Sequence, residues 1–312
     1  MILLCGIPSE PPLALAIQAA QAAEVEYALL NQRELPFSDM QLGLSPEGVV
    51  AGTLSLRGSD WPLESFAGVY FRMMEYQSLP ENMPRGRTPP DRNLYERSRL
   101  FQEAFLQWLE ISQARILNRP SDMASNLSKP YQAQLIARGG FLTPRTLVTN
   151  DPAEVQDFAS RAGRVVYKSI SSVRSIVREL ADAGPEALER VRVLPTQFQE
   201  FVPGINIRVH VIGEQVFATE VVTEAVDYRY AGNDGLDAQM RPIELPDAVA
   251  SRCVDLSRAL RLPFCGIDLK RTPEGEYYCF EANPSPAYSC YEEQTGQPIA
   301  RALVEYLASE RE

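Results

Sequence analysis

Apolar positions recur along this chain in two periods, every second residue and every third or fourth, and the two alternate. Met1 to Ile7 is an apolar run of strand length, and Pro12 to Glu24 is an alanine-rich helical stretch. Tyr27 to Leu30, Gly48 to Leu56 and Gly68 to Arg72 read as further strands between turn residues. Leu94, Phe101, Phe105 and Leu109 repeat at helical spacing between Asp91 and Glu110, which predicts an amphipathic helix packed on those strands. Strands alternating with helices predict an α/β fold. The first loop lacks the Gly-x-Gly-x-x-Gly of a dinucleotide site.

Leu117-Asn118-Arg119-Pro120 ends this unit and sets a boundary. Asn126 is placed to cap a helix over Leu127 to Arg138, which Gly139-Gly140 stops. Asp151-Pro152-Ala153-Glu154 is a strong helix start, with cap, first-turn proline and closing acid in order. Gly163 ends that helix, Val165 to Lys168 is a strand, and a short polar helix starts at Pro185. Gln197 to Phe201 is a strand leading to a turn at Pro203-Gly204. Ile207, Val209 and Val211 then alternate with Arg208, His210 and Ile212, and Gly213-Glu214 turns the chain into Val216 to Val222. That hairpin carries Arg208 and His210 on one face, with Asp227-Tyr228-Arg229 in the loop after it. Asp247 to Leu260 and Pro298 to Leu307 are the last two helices.

Composition narrows the partners. The 312 residues suggest two or three units, and 45% hydrophobic with 23% charged residues is an ordinary globular balance. A formal charge of -11 argues against nucleic acid, which needs a basic surface, without forbidding a local basic pocket. No signal peptide or membrane span is legible, so a cytoplasmic protein is expected. Five cysteines without a Cys-x-x-Cys pair favour reduced thiols, and Cys265 and Cys279 lie in apolar strands where inert thiols are common. His210 is the only histidine: it is either a packing residue or a general base. Pro80 to Pro90, with Arg85, Arg87 and Arg92, is aperiodic, a solvated loop or one that touches an acidic substrate.

Candidate chemistry concentrates in the stretch from Cys265 to Pro284. Two apolar, β-prone arms flank Glu274-Gly275, read as a two-residue hairpin turn. Pairing outward from Pro273 opposite Glu276 places Asp268 opposite Glu281, with Asn283 on the same face. Facing carboxylates repel unless a cation lies between them. They are either two solvated acids or ligands of a hard divalent metal, which takes one or two carboxylates and completes its shell from water and phosphates. Upstream, Lys129 lies in the first turn of its helix, where positive charge is unfavourable unless a phosphate binds there. Lys168 ends a buried strand before Ser169 to Ser175, a hydroxyl-rich loop that is either a phosphate cradle or a solvent-facing turn.

In order and spacing these fragments resemble the ATP-grasp superfamily, and within it the glutathione-synthase and ribosomal-protein glutamate-ligase-like branch, over Leu117 to Leu307. Asn118-Arg119-Pro120 and Asn126 to Tyr131 resemble the family's opening segment, with Lys129 as its phosphate lysine. Val166-Tyr167-Lys168 resembles the second phosphate lysine, and Gln199-Glu200-Phe201-Val202 the adenine hinge. Asn206-Ile207-Arg208-Val209 resembles the segment whose arginine approaches the reacting carboxylate. Gly266-Ile267-Asp268 and Phe280 to Pro284 resemble the metal strands. Two departures stand out: the loop after Lys168 has no glycine, and position 206 is asparagine where relatives often carry aspartate. Thr146 to Val148, Phe198 to Glu200 and Asp227 to Arg229 are also similar to ligases that crosslink ribosomal peptides, although the interval from Lys168 to Gln197 is short for a leader-docking insert.

The resemblance implies an α/β ATP-grasp fold: a small α/β domain over 1–117, a central lid over 118–198 and a C-terminal metal-binding part over 199–312. It implies ATP and two Mg²⁺ ions as cofactors and a carboxylate and an amine, from an amino acid or peptide, as substrates. Asp268, Glu281 and Asn283 would hold metal; Lys129, Lys168, Ser171, Gln199, Glu200, Phe201, Val202 and Asn206 would hold ATP. Arg208 would stabilise the acylphosphate, and Arg229 would dock a carboxylate. The activity implied is carboxylate–amine ligation on an amino acid, a peptide or a protein terminus, with peptide macrocyclisation through ester or amide bonds and a nucleotide-binding protein without turnover as rivals. A homo-oligomer is compatible with the sequence.

Overall fold

The computed structural model describes residues 1–80, 82–83, 91–170, 177–182, 185–223 and 239–309. Strands β1 (Ile2–Gly6), β2 (Tyr27–Asn31), β6 (Gly68–Phe71) and β7 (Arg115–Leu117) form a parallel sheet in the order β2-β1-β6-β7. β1 and β6 are buried along their whole length, as expected of strands covered on both faces. Helix α2 (Arg92–Ile111) covers one face with Phe101, Phe105, Trp108 and Leu109. The Asp91 carboxylate accepts from the backbone N–H groups of Asn93 and Leu94 and so caps it. Helix α1 (Pro11–Ala22) covers the other face together with α8 (Ile299–Ala308), which follows the short α7 (Ser289–Thr295). The contact with α8 is close enough that a Cβ on Gly68 would lie 2.4 Å from the carbonyl oxygen of Leu307.

Between β2 and β6 the chain forms an antiparallel meander that the sequence pattern gave only in part. It comprises β3 (Asp39–Leu44), β4 (Val50–Leu56) and β5 (Ser59–Pro62). Only β4 has the buried positions that make a strand legible, because most of β3 and β5 faces water. A second antiparallel sheet has the order β10-β9-β11-β8, from β8 (Thr146–Thr149), β9 (Val165–Ser169), β10 (Arg178–Glu179) and β11 (Thr196–Glu200). Helix α4 (Pro152–Ala162) packs on it with Val155 and Phe158, and starts with Asp151 accepting from Ala153 N–H. Helix α5 (Pro185–Arg190) follows β10.

The largest sheet is antiparallel, in the order β14-β13-β12-β15-β16. Its strands are β12 (Ile205–Ile212), β13 (Gln215–Val222), β14 (Gln239–Ile243), β15 (Phe264–Arg271) and β16 (Tyr277–Asn283). Ile207, Val209, Cys265, Ile267, Leu269, Cys279 and Ala282 turn to one face, against α6 (Asp247–Ala259) and Ile136 of α3 (Lys129–Arg138). The other face carries the polar residues.

The β15–β16 hairpin corrects the sequence reading in an instructive way. Thr272, not Pro273, pairs with Glu276, so the loop has three residues, Pro273-Glu274-Gly275, with Gly275 at φ +86°. Pairing from that turn sets Leu269 opposite Cys279, one position off the expected register. A bulge before Asp268 then shifts the ladder back, and Asp268 does face Glu281. The same bulge reverses the alternation along β16, so that Cys279 is buried in the core while Glu281, two residues on, faces the polar side.

Helix α3 begins at Lys129 rather than Leu127, and Asn126 does not cap it. The Asn126 amide oxygen instead accepts from Lys129 Nζ at 2.8 Å. Short ties hold α3 and β7 to the hairpin. Gln132 pairs with both backbone groups of Ala282 on the edge strand, donating to its oxygen at 2.8 Å and accepting from its N–H at 3.2 Å. The buried Asn118 side chain donates to the oxygens of Phe264 and Pro284, each at 2.6 Å, and accepts from Phe264 N–H at 3.1 Å. No described helix is long and apolar enough to cross a membrane. Cys5, Cys253, Cys265, Cys279 and Cys290 are free thiols, all buried except Cys290.

Candidate active site

Across the polar face of the large sheet, Thr219, Arg208, Asp268 and Glu281 stand in one row on β13, β12, β15 and β16. Arg208 Nη1 donates to Asp268 Oδ1 at 2.6 Å. Lys129, reaching in from the first turn of α3, donates to Glu281 Oε1 at 2.5 Å. Two carboxylates that would repel are thus flanked by two cations, and all four side chains are largely shielded from solvent. The Arg208 guanidinium lies over Gly266, where a Cβ would come within 2.5 Å of its Nη2. That close approach is what requires glycine at this position.

Asn283 continues the face one step beyond Glu281, opposite Gly266, and its Oδ1 accepts from Ser285 N–H at 2.9 Å. His210 is fully buried beside Arg208, edge-on to the Tyr291 ring at 5.0 Å. Burial, and next the Arg208 charge, hold its pKa well below 6.5, so it is a neutral ring within the fold. The packing alternative read from the sequence is the one the structure bears out.

A cleft of about 120 Å³ opens between the β10-β9-β11-β8 sheet and the large sheet. Val166, Lys168, Gln199, Glu200, Phe201 and Val202 line one side, and Asn206, Asp268, Leu269, Lys270, Phe280 and Glu281 the other. The hinge residues, both lysines, Arg208 and the acidic pair therefore converge on one region from segments far apart in the chain. Within the hinge, the Glu200 carboxylate is held by Arg145, through its backbone N–H and its guanidinium, each at 2.9 Å. Gln199 Nε2 donates to Thr146 Oγ1 at 3.1 Å. The Arg164 guanidinium stacks 3.6 Å over the Phe201 ring. Asn206 lies opposite Lys270 in the ladder. Ser171, Arg229, Asp227, Tyr228, Arg85 and Arg87 fall outside the described residues.

The sequence reading passed over Lys270, although strand alternation from Asp268 points it to the same face. Burial, with a smaller contribution from Arg164, lowers its pKa. Gln132 was also missed, because nothing local distinguishes an amide on a helix that serves as partner to an edge strand.

Among the described residues no group of three histidine, cysteine, aspartate or glutamate side chains could hold a metal by itself. The pair Asp268 and Glu281, with an amide oxygen near by, is a hard oxygen set that suits a divalent cation bringing phosphate oxygens with it. That donor set fits Mg²⁺ arriving with a nucleotide, to which it would offer two carboxylates rather than a closed cage.

Comparison with known proteins shows the family and the fold. Residues 127–307 match the model of the RimK-like ATP-grasp domain. A protein named "Probable alpha-L-glutamate ligase" from Alkalilimnicola ehrlichii is 26% identical over 214 residues, 65% of this chain and 70% of that one. The ATP-grasp ligase PsnB, in complex with a minimal precursor, is similar along nearly the whole chain: 28% identity, TM-score 0.76, 98% of this chain and 97% of that one. A RiPP-associated ATP-grasp ligase from Chryseobacterium gregarium, with ADP and a leader and core peptide, shares the fold at 22% identity and TM-score 0.80, covering 99% and 97% of the two chains. The chain belongs to the RimK-like ATP-grasp family and is a ligase of the ADP-producing kind.

Proposed function

We propose that the chain joins a carboxylate to an amine within or onto a peptide, through an acylphosphate. The observation that carries this is the row Lys129, Glu281, Asp268 and Arg208 bordering the cleft that Lys168 and the hinge also line. The peptide substrate is supported by the likeness to PsnB, which extends over the N-terminal sheet as well as the ATP-grasp domain, whereas the glutamate ligases match 65% of the chain.

A carboxylate resists amines because its leaving group would be oxide. Transfer of the γ-phosphoryl group from ATP to the carboxylate oxygen releases ADP and gives an acylphosphate. The amine then attacks the carbonyl carbon, phosphate leaves with the C–O bond electrons, and the amine proton passes to solvent. Lys129 and Lys168 hold the phosphate chain, and residues 199–202 hold the base. Arg208, fixed by Asp268 and by the open space over Gly266, bears on the acylphosphate and on the oxyanion that follows it, a role generally worth about 3 kcal/mol of barrier. Mg²⁺, which we place as two ions on Asp268, Glu281 and Asn283, supplies charge neutralisation of the phosphates when bound. Arg229 is our candidate for docking the substrate carboxylate. The units then divide near residues 117 and 198, with the second sheet closing over the nucleotide.

Where acid and amine belong to one peptide, the same chemistry makes a macrocycle. Incubation with ATP, Mg²⁺ and candidate peptides tests the proposal. ADP release that depends on the peptide, with a product lighter by one water per bond, supports it; ATP binding with no peptide-dependent ADP release counts against it.

A further inference from the structure

Among the described residues that line the cleft, Lys270 is the one cation that this chemistry leaves unused. It follows Asp268 by two positions on β15, so its side chain shares the cleft face one alternation step, about 7 Å, along the strand. That step leads away from the Glu281 row. The next rung pairs Lys270 with Asn206 on one side and Tyr278 on the other. Two aromatic rings flank the ammonium: Nζ lies 5.2 Å from the Phe201 centroid and 5.9 Å from that of Phe280. The residue across the ladder, Asn206, is neutral, and among the described residues no ion pair joins Lys270 to a carboxylate. A partly desolvated ammonium needs acceptors; the two rings beside it offer no strong one, so its partners are the polar groups that line the cleft or a ligand within it.

We propose that Lys270 binds the ribose–base part of the nucleotide and so sets nucleotide affinity from the end opposite the phosphates; this rests on the cleft being the nucleotide site. The phosphate chain has its own cations in Lys129 and Lys168. The flanking rings give a base flat apolar surface, and the ammonium held between them meets the hydroxyls and ring nitrogens at its edge. No acidic side chain is then needed at position 206 to keep the lysine neutralised.

Calorimetric titration of the full chain with Mg·ATP, adenosine and magnesium tripolyphosphate tests this in wild type, K270M and K270R. K270M should weaken both ATP and adenosine about tenfold or more, the worth of a hydrogen bond to a charged group, while tripolyphosphate binding stays unchanged. K270R should recover part of the loss. Equal weakening of tripolyphosphate would make Lys270 a phosphate lysine, and unchanged binding of all three ligands would make it a packing residue; either result overturns the assignment. If K270M melts well below the wild type, K270Q serves in its place. A wild type that binds none of the three fails the nucleotide site itself, which separates that failure from a failure at Lys270.

Discussion

Lys129 Nζ and Glu281 Oε1 lie 2.5 Å apart, although 152 positions separate them in the chain. This contact joins the first turn of α3 to the edge strand of the large sheet, and joins a phosphate-binding candidate to a metal-binding one. Replacing the carboxylate with an amide of the same shape removes the charge and keeps the packing. Glu281→Gln should therefore cut peptide-dependent ADP release at least about a hundredfold with a melting temperature near that of the wild type. Retained turnover in a coupled ADP assay would refute the metal assignment.

Gly266→Ala tests the seat of Arg208. The added methyl would meet Nη2 at 2.5 Å and the Pro286 Cβ at 2.6 Å, so the guanidinium has to move. Losing one donor aimed at developing charge lowers kcat about a hundredfold in other enzymes, and a loss of that order is expected here with KM for ATP little changed. Steady-state kinetics at varied ATP separates the two constants.

Gln132→Leu removes the amide that satisfies both backbone groups of Ala282 while keeping side-chain volume. An unpaired N–H and C=O on a buried stretch should destabilise the fold by about 3 kcal/mol, read as a lower urea midpoint at unchanged slope.

The single histidine gives a clean pH signature. His210 has its folded pKa well below the 6.5 of an exposed imidazole, so on acidification the unfolded chain takes up the proton first. Its contribution to stability is complete above about pH 6.5 and is lost as the pH falls below that, by up to about 1.4 kcal/mol per pH unit. Urea midpoints measured between pH 7 and 5 should fall less steeply for His210→Gln than for the wild type. Parallel profiles would mean that the ring is solvated.

How much of this was legible beforehand varies with the range of the interaction. Asp268 facing Glu281 was foreseen, yet through a two-residue turn that does not exist. The three-residue turn and the bulge before Asp268 are each one position off that scheme, and they cancel. Period-two patterning reports which residues share a face, but a bulge reverses the phase without any mark in composition. Asn126 illustrates a different limit. Its spacing before an apolar repeat suits a cap, and only the approach of Lys129 shows its oxygen already engaged.

Alternation along single strands and the cap at Asp151 were fixed by neighbours in sequence, so the chain alone determined most of the elements, the buried thiols of Cys265 and Cys279 and the identity of the acidic pair. Tertiary structure decided what those elements meet. It brought Lys129 to Glu281, Gln132 to Ala282 and Asn118 to the base of the hairpin, and it set Lys270 between two rings. Those contacts span long stretches of chain and depend on where whole elements pack. A local pattern, which encodes only the faces of each element, carries no record of them.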